Sequence, residues 1–183
     1  MLDLISTLAH TGHEHSSFGT GFIHPLNGLD HLLAMVAVGL LSARMDTKKM
    51  WTLPAAFVSM MAVGGLLGMA FASQGLTAFE WGISVSVLVL GLAVVFLTKM
   101  PPVVGHVVVA CFAICHGYAH FAEIGTASAW GYFPGMLTAT GLLHLAGLLG
   151  GVAMLRGCGD WALRGLGGTI TAIYMLALTG VIG

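Results

Sequence analysis

The sequence predicts an all-α membrane protein, a polytopic bundle of six transmembrane helices with both termini outside. Three observations support this fold class. Of the 183 residues, 57% are hydrophobic and only 7% are charged, whereas about 25% are charged in an ordinary soluble domain. The mean hydropathy is +0.96, and apolar runs of about 20 residues, the length that spans a bilayer core, recur along the whole chain.

Six such runs can be drawn in order. Turn formers and nearly all of the charge lie between them, in stretches such as "SARMDTKKM", "TKMPP" and "RGCGDWALR", so we expect a single transmembrane domain over 1–183 with a short outer segment at 1–23. The predicted helices cover residues 25–43, 52–73, 79–98, 102–122, 132–154 and 164–182.

The distribution of cations predicts the orientation. All six lysines and arginines fall in the first, third and fifth connections, which should therefore face the cytoplasm; they are Arg44, Lys48, Lys49, Lys99, Arg156 and Arg164. Six spans then place both termini on the periplasmic or extracellular side. Glycine pairs four residues apart, such as Gly64 with Gly68 and Gly147 with Gly151, indicate close helix packing.

Composition also limits the function. The net charge of −1 and the absence of a GxxxxGK[ST] or GxGxxG motif give no indication of nucleic-acid or nucleotide binding. Three scattered cysteines do not form a disulfide framework. The nine histidines outnumber the six lysines and arginines, and ionisable residues inside a membrane are rare and usually functional.

Two segments concentrate these residues. In "HPLNGLDH", His24 precedes the first helix, and His31 lies two turns further along with Asp30 beside it, where Asp30 could ligate a metal or hold an imidazole. In "HGYAHFAE", His116, His120 and Glu123 share one face of the fourth helix. This spacing is typical of metal ligands.

The predicted depths of these residues match. His24 and Glu123 should form an outer tier, with Asp30, His31 and His116 about 10 Å below it, given a rise of about 1.5 Å per residue. Local unwinding at Asn27-Gly28 would bring His24 closer to the lower level. His144, in the fifth helix, is the candidate for the next step inward.

Several further residues have more than one interpretation. The segment "HTGHEHSSFGTGF" is a solvated polar tail or an accessory surface where His10, His13 and His15 capture metal. His106 is an exit contact or a helix-to-helix hydrogen bond, and Cys111 and Cys115 fit small buried apolar residues better than ligands. For the whole cluster, the structural alternative is a polar network that fixes packing.

Both motifs, with the "AHTG" start and six spans, resemble the HupE/UreJ family of nickel permeases over nearly the whole chain. Phe121 stands where the family motif HGxAHGxE has glycine, and this larger side chain is expected to narrow the site. The resemblance implies inward movement of nickel, or cobalt, across the bacterial inner membrane, in connection with hydrogenase or urease maturation and with no resident cofactor. The matching positions are His24, Asp30, His31, His116, His120 and Glu123. The residues alone indicate only a divalent transition metal.

Three functional classes fit the residues. A permease that works without ATP hydrolysis fits best, because the ligands descend through the membrane from an exposed face. An intramembrane zinc hydrolase would need the histidines to converge on one point and leave an open water position. A b-type haem protein would need facing histidine pairs. The sequence leaves the driving force and the oligomeric state open.

Overall fold

The structure, a computed structural model, describes residues 18–71, 76–96, 101–124 and 129–180, and of residues 122–124 and 129 it describes the backbone only. This part of the chain is entirely helical apart from its connections. The helices are α1 (Phe18–Asn27), α2 (Leu29–Ser42), α3 (Thr52–Phe71), α4 (Leu76–Phe96), α5 (Pro102–Ile124), α6 (Ala129–Gly157) and α7 (Asp160–Leu178).

The first predicted helix is two helices in the structure. α1 and α2 meet at an angle of 82°, so the expectation of one straight helix over 25–43 is wrong. Gly28 is extended at the junction, with φ −86° and ψ 116°. The helical hydrogen bond from the Gly28 N–H to the His24 carbonyl is long, at 3.2 Å. Residues 18–23 also belong to α1, and not to a tail.

The other five helices correspond to the other five predicted runs. Each of them is long and apolar enough to cross a membrane, and the count becomes six if α1 and α2 form one broken span. α7 begins at Asp160, four residues before the predicted start. The cause is a tight turn at Gly159, whose φ of +82° suits glycine and whose N–H bonds the Met154 carbonyl at 2.8 Å.

Glycine allows the helix backbones to touch at the predicted packing sites. A Cβ on Gly64 would lie 2.3 Å from the Ile114 carbonyl oxygen, and one on Gly147 would lie 2.4 Å from the Val36 carbonyl oxygen. Both separations are too short for any larger residue. α3 is therefore fixed against α5, and α2 against α6, with little freedom to shift.

The first, third and fifth connections lie at the same end of the bundle. Arg44, in the first connection, makes an ion pair with Asp160 at the start of α7. Arg44 and Lys49 also border a groove that includes Pro101 and Pro102 of the third connection. The predicted grouping of these connections therefore agrees with the fold. The histidine motifs lie away from this end, in the region where α1, α2 and α5 meet.

Candidate metal site

The bend between α1 and α2 brings His24 into a compact cluster with the other motif histidines. The ring centroid of His24 is 4.5 Å from that of His120 and 5.8 Å from that of His31. His31 is in turn 4.2 Å from His120 and 4.7 Å from His116. The expected separation of about 10 Å between His24 and His31 is wrong, because the chain turns at Gly28 instead of continuing straight. The unwinding considered at Asn27-Gly28 is the correct alternative.

Asp30 holds His31 in a defined orientation. One carboxylate oxygen, Oδ1, accepts hydrogen bonds from the Nδ1 and from the backbone N–H of His31, both at 2.8 Å. A carboxylate can only accept, so the hydrogen of the neutral ring is on Nδ1 and the Nε2 lone pair is exposed. That Nε2 faces the Nε2 of His120 in hydrogen-bonding contact, which makes His120 the donor. Both rings are buried.

His116 is oriented by its own helix. Its Nδ1 donates to the Phe112 carbonyl, one turn earlier on α5, at 2.9 Å. The other nitrogen, Nε2, therefore carries a lone pair. It is buried and has no hydrogen-bond partner among the described residues. A buried polar atom without a partner is costly, so this position is suited to a ligand that arrives from outside the protein.

His144 lies beyond the cluster, on α6. It is 1% exposed, and neither ring nitrogen has a partner in the described part of the chain. The Phe57 ring of α3 contacts both histidines, with centroid distances of 5.5 Å to His116 and 5.0 Å to His144. The sequence placed His144 as the next step inward, but it gave no indication that one aromatic ring contacts both His116 and His144.

A cavity of about 320 Å³ opens onto the cluster. Its lining includes His24, Asp30, His31 and His120, together with Glu80 and Ser84 of α4. Glu80 was missed by the sequence analysis because a single carboxylate in "AFEWG", near a helix start, resembles an ordinary surface residue. The helical spacing of Glu80 and Ser84 was the available signal, since residues four apart share a face.

Phe121 does not narrow the cluster. Its side chain packs beside Gly65 and Gly68 of α3 and against the Phe133 ring of α6, at a centroid distance of 4.8 Å. It therefore faces α3 and α6, and not α2, which carries His31. Phenylalanine is accommodated in place of the motif glycine because two glycines of α3 leave room for its ring.

The remaining candidates are outside the cluster or outside the described residues. His10, His13 and His15 precede the described part, and the side chain of Glu123 is not described. His106 borders the groove at the opposite end, and its Nδ1 donates to the Pro102 carbonyl at 2.6 Å. The Sγ of Cys115 lies against Gly82 of α4.

The cluster is a chain of donors and not a closed cage. Among the described residues, no group of three histidine, cysteine, aspartate or glutamate side chains is placed to hold a single metal ion. Neighbouring donors instead form a row in space, in which His24 contacts His120, His120 contacts His31, and His31 contacts His116. This arrangement suits an ion that moves between positions and exchanges ligands.

Comparisons with known proteins agree with the two motifs. The model of the family described as "HupE / UreJ protein" matches residues 1–177. The chain is 40% identical over 175 residues to "Protein HupE" of Rhizobium leguminosarum bv. viciae, a match that covers 94% of this chain and 90% of that protein. No solved structure matches.

Proposed function

The chain belongs to the HupE/UreJ family, a family of metal transporters and not of enzymes, and on this premise we propose that it imports nickel(II) through the histidine cluster. Cobalt(II) is the second candidate, because imidazole and carboxylate ligands suit both ions. No nucleotide motif is present in the sequence, so transport would proceed without ATP hydrolysis. The host membrane would be the bacterial inner membrane, with both termini outside.

One observation carries this proposal: two buried histidines each have Nδ1 fixed by a hydrogen bond, which leaves the lone pair on Nε2. Asp30 orients His31, and the Phe112 carbonyl orients His116. Metal-binding histidines are commonly held in this way, through a carboxylate or a backbone carbonyl. A polar network that only stabilised packing would not explain why the buried Nε2 of His116 has no hydrogen-bond partner among the residues that the structure describes.

The carboxylates explain how the ion would be drawn in. Asp30 and Glu80 both line the cavity in front of the cluster, and two negative charges at a cleft attract a divalent cation. The ion would next bind between His31 and His120. The hydrogen that His120 carries on Nε2 would move to Nδ1 of the same ring, since a histidine ligand must present a lone pair. His116 and then His144 would be the following ligands.

Uptake of radioactive nickel in whole cells tests the proposal. We expect no uptake at any nickel concentration in His31→Ala or His116→Ala, because a largely dehydrated ion would lack donors. Asp30→Ala should have the same effect, because it leaves His31 unoriented and removes a negative charge that attracts the ion. Glu123→Ala should mainly raise the concentration that is needed, since water can replace an outer ligand. The triple alanine variant of His10, His13 and His15 should matter only when nickel is scarce.

The matched control is His106→Ala, which removes an imidazole from the opposite end of the bundle and should leave uptake close to normal. The amount of each variant in the membrane is measured in parallel. Near-normal uptake by correctly inserted His31→Ala or His116→Ala would contradict the proposal and leave these histidines as packing groups.

A further inference from the structure

We propose that the Phe57 ring is a barrier that divides the pathway into an outer part, where His31, His116 and His120 follow one another, and an inner position at His144. This inference rests on the proposed function. According to this inference, one apolar side chain separates binding of the ion at the outer histidines from its passage to His144. It follows from the contacts of Phe57 with both histidines and from the burial of all three rings.

The contacts place Phe57 at the transition from one histidine to the next. Its ring meets those of His116 and His144 edge-on, with interplanar angles of 65° and 74°. Phe57, His116 and His144 are each 0–1% exposed. A cation that leaves the Nε2 of His116 for a nitrogen of His144 would then move past a ring that contacts both histidines and offers it no lone pair.

The chemistry of the ring suits a barrier and not a binding site. A phenyl group has no lone pair to offer a divalent transition metal, and its face attracts a cation only weakly compared with an imidazole nitrogen. Constrictions lined by apolar side chains close channels by excluding water. Passage would require the Phe57 side chain to rotate while the ion exchanges one histidine for the next.

The surrounding helices limit the ways in which the barrier can open. α3, which carries Phe57, is fixed against α5 by the contact of Gly64 with the Ile114 carbonyl oxygen, and Gly117 on α5 lies against the Met61 carbonyl oxygen. Backbone movement between these helices is thus restricted on both sides of the interface. A rotation of the ring is the smaller motion.

The reaction of silver ion with a cysteine at position 144 measures access past the Phe57 ring. This measurement does not depend on nickel transport. His144→Cys is introduced into a chain whose three native cysteines are replaced by serine, and silver is added outside the cells. Alkylation with a maleimide after denaturation then reports the thiol that has not reacted. We expect slow reaction with Phe57 present, and reaction about tenfold faster in Phe57→Ala, as expected for a barrier lowered by about 1.4 kcal/mol.

Phe133→Ala is the matched control, because it removes an aromatic ring on the Phe121 side of α5, and its reaction rate should equal that of the parent. Phe57→Leu keeps more of the volume and should accelerate the reaction by a smaller factor. It provides the same test if the alanine variant does not insert. Equal rates with Phe57 and with either replacement would overturn the barrier.

The two proposals can fail separately. Silver access is read in the absence of nickel, so a protein that proves not to carry nickel could still show the barrier. Conversely, nickel uptake that depends on His31 and His116, together with rates at position 144 that are independent of Phe57, would leave the proposed function intact and remove the barrier.

Discussion

Asp30 determines which nitrogen of His31 carries the hydrogen. Its carboxylate accepts from the Nδ1 of His31 at 2.8 Å, and so the lone pair of the neutral ring is on Nε2. The sequence left two roles open for Asp30, as a ligand or as a group that holds an imidazole. The geometry favours the second role, and a substitution can separate the two.

Asp30→Asn should weaken nickel uptake without removing the side chain. An amide has nearly the same shape but no charge, and its one oxygen is a weaker acceptor than a carboxylate, so the hydrogen of His31 is held on Nδ1 less firmly. We expect the nickel concentration for half-maximal uptake to rise by about 10- to 100-fold, the usual effect of losing such a partner. The control is Asp160→Asn, which removes the surface ion pair with Arg44 and should leave that concentration unchanged. An equal value in both variants would contradict the positioning role.

Single residues also show where sequence reasoning reaches its limit. The candidate site residues His24, Asp30, His31, His116 and His120 could be read from two motifs, and the structure brings these residues together. Glu80 and Phe57 could not be found in this way. Their relation to the cluster depends on how α3 and α4 pack against α5, and no local spacing along the chain encodes that packing.

At the scale of the helices, the junction between α1 and α2 shapes the cluster. Periodicity predicted one span, since a run of apolar residues has the same pattern whether it is straight or broken. Asn27-Gly28 indicated weak helix at this point. The angle of 82° follows from tertiary contacts: a Cβ on Gly21 of α1 would lie 1.9 Å from the Tyr132 carbonyl oxygen of α6, so α1 lies directly on α6.

Gly28→Ala should disturb the cluster through sterics alone. The added Cβ would lie 2.9 Å from the Oδ1 of Asp30 and 3.2 Å from the Nδ1 of His31, the two atoms of the hydrogen bond that orients His31. The backbone angles of residue 28 are accessible to any amino acid, so the substitution adds no conformational strain. We expect reduced nickel uptake at an unchanged protein level. Gly141→Ala is the control, because a Cβ at that position meets nothing within 4 Å. Equal uptake by the two variants would show that the junction tolerates a side chain.

For the molecule as a whole, composition predicted the fold well because the bilayer sets the length of each helix. The six apolar runs correspond to the helices of the structure, and the ion pair of Arg44 with Asp160 joins two of the connections expected to share a side. The tryptophans fit the same scheme: all four are exposed and lie near helix ends, where tryptophan prefers the membrane–water interface; they are Trp51, Trp81, Trp130 and Trp161. What composition could not give is the relative placement of the helices.

The direction of transport depends on which end of the bundle faces the cytoplasm. Because lysine and arginine are retained on the cytoplasmic side, cysteines introduced at 74–78 and 124–130 should react with a membrane-impermeant thiol reagent added outside intact cells. Cysteines at 46–49 and 157–160 should react only after the cells are permeabilised. Their reaction under that condition is the control, because it shows that these thiols are reactive. The histidine cluster would then open outward, as import requires. Labelling of the 46–49 connection in intact cells would reverse the orientation and, with it, the proposed direction of nickel movement.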